Sequence, residues 1–368
     1  MGREERDILR IAERFALEGK PESALSHGNG HINDTYLVSC RTEEGYKKYI
    51  LQRINHEIFK KPWELMENVV NVTEFLQRKI REAGGDPGRE TLHVVFAKDG
   101  TSYQKEEDGT YWRMYRFIEG ATSYDVVKEP RDFYESALAF GHFQKLLEEY
   151  PAEDLFETIP NFHNTVDRFA NFRKALEADV MHRAAGVQEE IRFVLEREED
   201  CHVLCDMLAA GKIPLRVTHN DTKLNNIMID DETGKGICII DLDTVMPGSA
   251  LYDYGDSIRF GANTGEEDEK DLSKISCDLE LFDLYTAGYI EGCGGSLTET
   301  EIRMMPMGAK LMTLECGMRF LADYLEGDHY YKIHRPEHNL DRARTQFCMV
   351  KDMEDKWEKM REIVEKYL

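Results

Sequence analysis

The sequence predicts an α+β fold in which a five-stranded antiparallel sheet with one main helix is followed by a mostly helical region. Two observations support this prediction. Up to residue 118, short runs of β-branched and aromatic residues are separated by glycine-containing turns, a pattern typical of β-hairpins. From residue 119 onward, apolar residues recur at helical spacing. We therefore expect an N-terminal lobe over residues 1–118 and a C-terminal lobe over residues 119–368.

The predicted N-terminal lobe opens with an amphipathic helix that carries Ile8, Ile11 and Phe15 on one face. Its main helix, over residues 62–81, starts at a proline, which is favoured in the first helical turn. Asp-Gly pairs at residues 99–100 and 108–109 are strong hairpin signals. Together with a turn at residues 43–45, they delimit five predicted strands, over residues 32–41, 46–55, 91–98, 101–105 and 110–118.

The predicted C-terminal lobe is dominated by long helices. The clearest start is Thr298, a favoured N-cap residue that is followed by the acids Glu299 and Glu301. A turn at residues 231–234 joins two short apolar runs and predicts a hairpin among these helices. The helices are predicted over residues 132–150, 164–178, 188–208, 279–291, 298–325 and 341–367.

Composition narrows the range of partners. The chain has 47 Lys and Arg against 71 Asp and Glu, a formal net charge of −24, which disfavours nucleic acid and anionic lipid. No apolar run reaches the ~18 residues of a membrane helix, and the charged N-terminus lacks a signal sequence. We expect a cytoplasmic monomer or weak homodimer.

Because the eight cysteines show no C-x-x-C spacing, we also expect free thiols and no structural zinc.

The most informative stretch is V-T-H-N-D-T-K-L-N-N-I-M-I-D-D-E-T-G-K-G-I-C-I-I-D-L-D, residues 217–243. In it His219, Asp221 and Asn226 form the pattern H-x-D-x-x-x-x-N, and Asp241 follows Asn226 by 15 residues. An aspartate in a loop can accept a hydroxyl proton, while an Asn and an Asp at the two ends of a hairpin can hold Mg²⁺ against nucleotide phosphates. Lys223 is placed to meet the γ-phosphate. The alternative is a polar surface hairpin with solvated acids.

Several motifs resemble a known family. H-N-D-T-K-L-N-N-I-M, I-D-L-D-T-V-M-P-G and Y-D-Y-G-D-S-I-R-F-G-A resemble the kinase-like phosphotransferases of small molecules, the aminoglycoside phosphotransferase and choline kinase superfamily. Within it, the sequence is most similar to the N-acetylhexosamine 1-kinases, since G-N-G-H-I-N-D-T-Y and C-G-M-R-F-L-A-D-Y-L-E-G-D extend the likeness to both ends. The resemblance implies a bilobal protein-kinase-like fold, ATP and Mg²⁺ as cofactors, and a small-molecule sugar as substrate. It also implies that His219 positions the catalytic loop.

The nucleotide is expected to contact the N-terminal lobe. Gly28 and Gly30 precede paired strands and suit a loop over the phosphates, although a plain β-turn would look the same. Protein kinases place a phosphate-binding lysine on their third strand, and here Gln52 or Arg53 occupies the equivalent stretch. Because strand residues alternate between faces, only one of these two can point inward. The resembled fold places its hinge at residues 113–120, where Tyr115 and Phe117 either pack the adenine or belong to the strand core.

The remaining candidates concern the acceptor. Asp243, two residues after the metal-binding aspartate, joins Mg²⁺ or faces the acceptor. Phe260 is either a sugar-facing aromatic or a core residue. Arg319 interrupts an apolar helix, so it either reaches substrate hydroxyl or acetamide oxygens or pairs internally with Glu315. Tyr330 is expected to close the same pocket.

Two further acids follow the metal-binding segment. Asp253 and Asp256 lie in Y-D-Y-G-D-S, and we expect them to support the catalytic loop rather than to touch substrate.

These observations predict an ATP- and Mg²⁺-dependent kinase that phosphorylates the anomeric hydroxyl of N-acetylglucosamine or N-acetylgalactosamine. One alternative is the same chemistry on choline, an aminoglycoside, homoserine or methylthioribose. Cationic acceptors require an aromatic cage or an acidic pocket, which the net charge permits but Arg319 opposes. A second alternative is a nucleotide-binding pseudokinase that acts as a scaffold. Only the missing strand lysine supports it.

Overall fold

The computed structural model describes residues 3–28, 33–124 and 129–368. The chain divides into two compact units. Unit 1 comprises residues 1–123, 154–159 and 227–246, and unit 2 comprises residues 124–153, 160–226 and 247–368. Within the described ranges, no helix is both long enough and apolar enough to span a bilayer. The lobe boundary at residue 118 stays a prediction.

The first part of the chain alternates strands with a few helices. In order it forms α1 (Arg3–Ala12), β1 (Lys20–Ser26), β2 (Asp34–Thr42), β3 (Gly45–Ile54), α2 (Pro62–Glu82), the single turn α3 (Pro87–Glu90), β4 (Gln104–Lys105), β5 (Tyr111–Arg116) and β6 (Ala121–Thr122).

The rest of the chain is mainly helical. In order it forms α4 (Pro130–Leu146), α5 (Thr165–Ala178), α6 (Gln188–Leu195), α7 (Glu198–Ala209), β7 (Arg216–Thr218), β8 (Ile227–Asp230), β9 (Gly236–Ile239), β10 (Met246–Gly248), α8 (Ala250–Gly261), α9 (Leu279–Cys293), α10 (Glu299–Glu326), α11 (His338–Asp355) and α12 (Trp357–Glu365).

Unit 1 is built on an antiparallel sheet of order β1-β2-β3-β5-β4. Alternation along the strands gives the sheet two distinct faces. One face carries Leu51 and Met114, both 0% exposed, and packs with Phe15 and the apolar side of α1 into one core cluster. The other face carries Gln52 and Arg113, which are directly opposite each other in the β3–β5 register. We call this second face, which holds the Gln52–Arg113 pair, the polar face of the sheet.

The number of strands and their antiparallel pairing agree with the prediction, but the strand membership does not. Residues 91–98, predicted as a strand, make only isolated bridges at Val94 and Ala97. The fifth strand is instead β1, which the sequence analysis left out. β1 begins Lys-Pro-Glu and is an edge strand, where proline and charge are tolerated because one row of backbone groups is unpaired. The sequence of β1 therefore has only a weak apolar pattern, which does not predict a strand.

The predicted hairpin after the catalytic loop is present as β8 and β9, and β6 pairs with β8 at its edge. Asp230 organises the turn, since its carboxylate accepts hydrogen bonds from the Thr233 N–H (2.7 Å) and hydroxyl (2.8 Å). Arg89 also donates to this carboxylate at 2.9 Å. The hairpin therefore connects the loop before Ile227 to Asp241 through a turn that these hydrogen bonds hold in place.

In unit 2, helices α4 and α9 approach each other unusually closely at two glycines. A Cβ atom added to Gly141 would lie 2.4 Å from the Tyr289 carbonyl oxygen, and one added to Gly292 would lie 2.3 Å from the Leu138 carbonyl oxygen. The long helix α10 begins with a capping box in which Thr298 and Glu301 bond each other's backbone N–H groups. Thr298 is therefore the helix start that the sequence predicts.

Two predicted helices are each divided in the structure. Residues 188–208 form α6 and α7, and residues 341–367 fall within α11 and α12. At the first break, the Arg197 guanidinium donates to the Phe193 carbonyl at 2.7 Å, a side-chain contact that satisfies a carbonyl in the last turn of α6. Because no Gly or Pro marks either break, the apolar spacing alone predicted continuous helices.

Candidate active site

The loop that carries Asp221 is supported by a buried carboxylate on α8. Asp253 is 1% exposed and accepts hydrogen bonds from the backbone N–H groups of His219 (2.9 Å) and Asn220 (2.7 Å). Gln144 of α4 donates to the same carboxylate at 3.0 Å. Burial is the main influence on this group and raises the pKa of Asp253. These bonds match the expectation that Asp253 supports the loop.

His219 lies inside unit 2, where its ring meets Phe140 and Phe143 edge-on at centroid distances of 5.6 and 6.0 Å. Its Nδ1 accepts a hydrogen bond of 3.3 Å from the backbone N–H of Asp221. Asn220, between the two, has a φ of 65°, a left-handed conformation that Asn tolerates better than most residues. The imidazole is therefore placed to fix the direction of the loop.

The Asp221 carboxylate is bracketed by two other predicted residues. Lys223 Nζ lies 2.7 Å from Asp221 Oδ1, and Asn226 Nδ2 donates to Asp221 Oδ2 at 3.0 Å. Asn226 Nδ2 also donates to the Asp221 carbonyl at 2.8 Å. The Asp221 side chain keeps 26% of its surface exposed. The structure thus brings these three side chains together while leaving the carboxylate accessible.

Asp256 and Arg259 form a second support beneath this loop. Asp256 Oδ2 accepts the Thr222 backbone N–H at 3.2 Å, and Asp256 Oδ1 accepts from Arg259 Nε at 3.0 Å. Burial raises the pKa of Asp256, but Arg259 and then Lys223 outweigh that effect and lower it. Burial likewise opposes the charge on Lys223, yet the neighbouring Asp221 carboxylate raises its pKa overall. Lys223 is therefore cationic at neutral pH.

Arg319 lies within a cluster of aromatic rings. Its guanidinium carbon is 5.5 Å from the Phe162 ring centroid, 5.7 Å from that of Tyr330 and 5.6 Å from that of Tyr331. Such distances are typical of cation–π contacts. Arg319 NH1 also lies 3.9 Å from Glu315 Oε1, the internal pair that the sequence left open. The guanidinium is thus held by its own helix and by three rings.

Glu315 connects this aromatic cluster to a histidine that the sequence analysis missed. His163 Nδ1 lies 2.9 Å from Glu315 Oε1, and Glu315 is 2% exposed. Burial raises the pKa of Glu315, but His163 and then Arg319 outweigh it and lower the pKa. The buried atoms His163 Nε2 and Glu315 Oε2 have no hydrogen-bond partner among the described residues. His163 also interacts electrostatically with Asp256, which places the cluster next to the catalytic loop.

The two remaining acceptor candidates are on the surface of unit 2. Phe260, near the end of α8, is 41% exposed, and Tyr330 is 63% exposed. Tyr330 stands 4.8 Å from the Tyr331 ring, centroid to centroid, and thus belongs to the Arg319 cluster. Phe260 is therefore not the core residue that the sequence left as an alternative.

In unit 1, Gln52 and Arg53 point to opposite faces of the sheet, as alternation requires. Gln52 Oε1 accepts from Arg113 Nε at 2.9 Å on the polar face. Arg53 NH2 lies 2.5 Å from Asp34 Oδ2, with both side chains about half exposed, on the face that packs α1. Arg53 is therefore directed away from the polar face, whereas Gln52 lies on it. Which of the two meets the nucleotide phosphates stays a prediction.

The buried cation on that polar face is Arg113, which the sequence analysis did not select. Arg113 is 1% exposed and forms a close ion pair with Asp243, which is 4% exposed. Burial opposes the charge, but Asp243 and also Asp241 hold the pKa of Arg113 above its ordinary value. The second oxygen of Asp243 accepts from Asn33 Nδ2 at 2.7 Å. Both Asp243 oxygens therefore bond this chain's own residues, and the role predicted for Asp243, joining Mg²⁺ or facing the acceptor, stays a prediction.

The two predicted metal ligands, Asn226 and Asp241, are oxygen donors. Asn226 directs its amide N–H to Asp221, which leaves its amide oxygen for a cation. Asp241 is exposed and has a left-handed backbone, with φ 58° and ψ 59°. Within the described ranges no cluster of three or more His, Cys, Asp or Glu suits a metal. An amide and a carboxylate oxygen nevertheless fit Mg²⁺, which is commonly bound by one or two carboxylates together with substrate phosphates.

The remaining nucleotide candidates are only partly described. Gly28 has a φ of 73°, the left-handed region that favours glycine, while Gly30 lies outside the described residues. Tyr115 is 4% exposed, and burial raises the pKa of its hydroxyl. Phe117 is half-buried under Lys48, whose Nζ is 5.2 Å from the ring centroid. Phe117 also has His27 at a centroid distance of 6.1 Å and is only partly accessible, whereas Tyr115 is largely a core residue.

A sequence model of the phosphotransferase enzyme family matches residues 24–280. Among solved structures, a microcompartment-associated aminopropanol kinase is similar at 16% identity, with a TM-score of 0.60, covering 97% of this chain and 98% of that one. A choline kinase from Cryptosporidium parvum Iowa II is 14% identical, with a TM-score of 0.60 and 97% of each chain covered. An aminoglycoside phosphotransferase from Alicyclobacillus acidocaldarius subsp. acidocaldarius DSM 446 is 12% identical, with a TM-score of 0.60, covering 97% and 96%. The predicted kinase-like fold class is confirmed.

Proposed function

Because the chain belongs to the phosphotransferase enzyme family, we propose that it is an ATP-dependent kinase that phosphorylates the anomeric hydroxyl of N-acetylhexosamines. In this reaction a bond forms between O1 of the sugar and the γ-phosphorus, and the bond from that phosphorus to ADP breaks. The hydroxyl proton passes to Asp221. The products are the sugar 1-phosphate and ADP.

The roles of the loop residues follow from their bonds. Asp221 orients the acceptor hydroxyl, since Lys223 and Asn226 fix its two oxygens and its surface stays accessible. Lys223, held as a cation, offsets negative charge on the transferred group. His219 sets the direction of the loop. Because phosphoryl transfer has a loose transition state, positioning contributes more than basicity.

The nucleotide would supply the phosphoryl group, and Mg²⁺ would neutralise the negative charge of its phosphates. The oxygens of Asn226 and Asp241 would hold the cation, a proposal that rests on their spacing in the sequence and on the chemistry of the two side chains. Within unit 1, we assign Gly28 and Phe117 to the nucleotide.

The single observation that carries the choice of acceptor is the position of Arg319. Its guanidinium already occupies the faces of Phe162, Tyr330 and Tyr331, the kind of aromatic cage that binds an ammonium group. A second cation there would be repelled. A neutral sugar offers hydroxyl and acetamide oxygens that accept from a guanidinium.

A second candidate is the same transfer to an amine-bearing acceptor. Two similar structures are named as an aminopropanol kinase and a choline kinase, and the net charge of −24 attracts cations. At 16% and 14% identity, however, that likeness concerns the fold. The acceptor therefore has to be identified by assay.

The test is ADP release from MgATP against N-acetylglucosamine, N-acetylgalactosamine, glucose, 1-aminopropan-2-ol, choline, kanamycin and homoserine, with phosphorus NMR of each product. We expect turnover with the N-acetylhexosamines and a phosphate on C1. Turnover only with amines would reject the sugar and retain the kinase.

A variant then tests the acceptor site. Arg319→Met should raise KM for the sugar by about 10- to 100-fold, the effect of losing hydrogen bonds to a charged group, and leave KM for MgATP unchanged. Arg173→Met, at an exposed position of α5, is the matched control. An unchanged sugar KM in Arg319→Met would remove Arg319 from the acceptor site.

A further inference from the structure

We propose that Arg113 and Asp243 form a buried ion pair that positions Asp241 for the metal–nucleotide complex, and that this pair does the work of the missing strand lysine. The proposal rests on the proposed kinase activity but not on the identity of the acceptor. Arg113 is 1% exposed, so it does not itself touch a phosphate. It is a positioning residue.

The pair is fully enclosed by hydrogen bonds within unit 1. Arg113 Nε donates to Gln52 Oε1 at 2.9 Å, and its NH1 donates to Asp243. Asn33 Nδ2 donates to the other Asp243 oxygen at 2.7 Å, while Asn33 Oδ1 accepts the backbone N–H of Asn55 at 3.0 Å. Neighbouring strands and the loop before β2 thus converge on one carboxylate.

Asp243 belongs to a short 3-10 turn, residues 242–244, which begins directly after Asp241. The backbone of this segment is held at two more points. Thr158 Oγ1 donates to the Asp243 carbonyl at 3.1 Å, and Asn68 Nδ2 donates to the Val245 carbonyl at 3.1 Å. Asn68 is 1% exposed and lies on α2. The turn therefore has a rigid attachment to α2 and to the sheet.

This attachment matters because Asp241 has a conformation that residues other than glycine seldom adopt. Its φ of 58° and ψ of 59° persist only where the surroundings determine them. In addition, two carboxylates separated by one residue repel each other unless one is neutralised. Because Arg113 pairs with Asp243, that repulsion is relieved, and Asp241, whose side chain is exposed, can meet a cation.

The three cations of β3 are paired with other carboxylates. Arg53 pairs with Asp34 on the opposite face, Lys47 pairs with Glu18, and Lys48 Nζ lies 3.2 Å from Glu119. Arg113 is on β5, directly opposite Gln52. Protein kinases place a phosphate-binding lysine on β3. Here the corresponding positive charge is the Arg113 guanidinium on the neighbouring strand β5, and it binds the Asp243 carboxylate instead of a phosphate.

The test measures the Mg²⁺ dependence of ADP binding by calorimetry, and of kcat where an acceptor is known. In Arg113→Met we expect the Mg²⁺ concentration for half-maximal ADP binding to rise about tenfold or more, as for loss of a residue that orients a metal ligand. The KM for the acceptor should not change. Lys47→Met, at an exposed position of β3, should stay within about twofold of wild type. An unchanged Mg²⁺ requirement in folded Arg113→Met would overturn the proposal.

A double variant separates positioning from a purely structural role. Replacing both partners, in Arg113→Met/Asp243→Leu, removes the unpaired buried charge and should restore the circular dichroism spectrum and Tm if the single variant unfolds. We expect its Mg²⁺ requirement to remain raised. If the double variant binds ADP with the wild-type Mg²⁺ dependence, the pair is only structural and the proposal fails. Wild-type protein that binds MgADP but phosphorylates none of the sugars would reject the proposed acceptor and leave this inference intact.

Discussion

The Asp253 carboxylate accepts a 2.7 Å hydrogen bond from the backbone N–H of Asn220, the residue whose φ of 65° turns the chain into Asp221. A left-handed residue is normally disfavoured, and here a buried acceptor stabilises it directly. The same carboxylate holds the His219 N–H at 2.9 Å. The direction of Asp221, the proposed catalytic aspartate, is therefore set from α8.

This relationship predicts the effect of Asp253→Asn. The substitution keeps the shape of the side chain, but one acceptor oxygen becomes an NH₂ group that faces a backbone N–H. We expect the free energy of unfolding to fall by about 2–3 kcal/mol, typical of a lost hydrogen bond to a charged group. Chemical denaturation measures this, and kcat should fall with it.

The matched control is Asp206→Asn, at an exposed position of α7. It should change neither stability nor kcat. If Asp253→Asn is as stable as wild type and equally active, the loop does not depend on that carboxylate.

Asp221→Asn is expected to abolish turnover while leaving nucleotide affinity nearly intact. The Asn side chain keeps the shape of Asp and one oxygen, which can accept from either Lys223 or Asn226, but it no longer accepts the acceptor proton. Steady-state kinetics should give less than about a tenth of the wild-type rate, and calorimetry should give an ADP affinity within about threefold. Asp231→Asn, in the exposed hairpin turn, is the control. A rate above that limit would remove Asp221 from the proposed role.

The sequence predicted that Asp221, Lys223 and Asn226 share one loop because these residues are close together in the chain, while their catalytic roles stay predictions. Asp221, Lys223 and Asn226 are within five positions of each other, so a spacing pattern is enough to place them on one loop. Their mutual hydrogen bonds in the structure agree with that reading. Residues of other helices that hold this loop, such as Gln144, are far from it in the sequence, so no local pattern identifies them.

Arg113 was missed for a different reason. In the sequence it is one of several cations in predicted strands, and only strand order and register put it opposite Gln52. Burial of an arginine becomes visible only when its partner, Asp243, is brought to it from 130 residues away. His163 was missed in the same way, because its partner Glu315 is 152 residues away.

The fold shows the same division between local and long-range signals. The Thr298 cap and the Pro62 helix start are local, and both are where the sequence predicts them. Strand β1 was missed because a polar edge strand needs little apolar patterning. The close approach of α4 and α9 also depends on two residues that are far apart in the sequence, Gly141 and Gly292.

That close approach predicts a sharp cost for added methyl groups. In Gly141→Ala and Gly292→Ala the new Cβ would meet carbonyl oxygens at 2.4 and 2.3 Å, so the two helices must move apart. We expect each variant to lose about 1–3 kcal/mol of unfolding free energy, the usual range for overpacking. Gly186→Ala, where a Cβ would meet nothing within 4 Å, is the control and should be neutral. Wild-type stability in both helix variants would contradict the packing.

The Glu315–His163 pair predicts a pH-dependent stability difference. The pKa of Glu315 is lowered on folding because His163 and Arg319 outweigh the effect of burial, so its ionised form stabilises the folded state. That contribution is fully present above the unfolded pKa of about 4.3 and is lost as the pH falls through the lower folded value. The Tm of Glu315→Gln should therefore lie furthest below that of wild type at pH 7, and the gap should narrow below about pH 4.

Glu326→Gln, at the exposed end of the same helix, should show no gap at either pH. A gap for Glu315→Gln that stays constant or widens on acidification would mean that Glu315 is not held ionised by its neighbours.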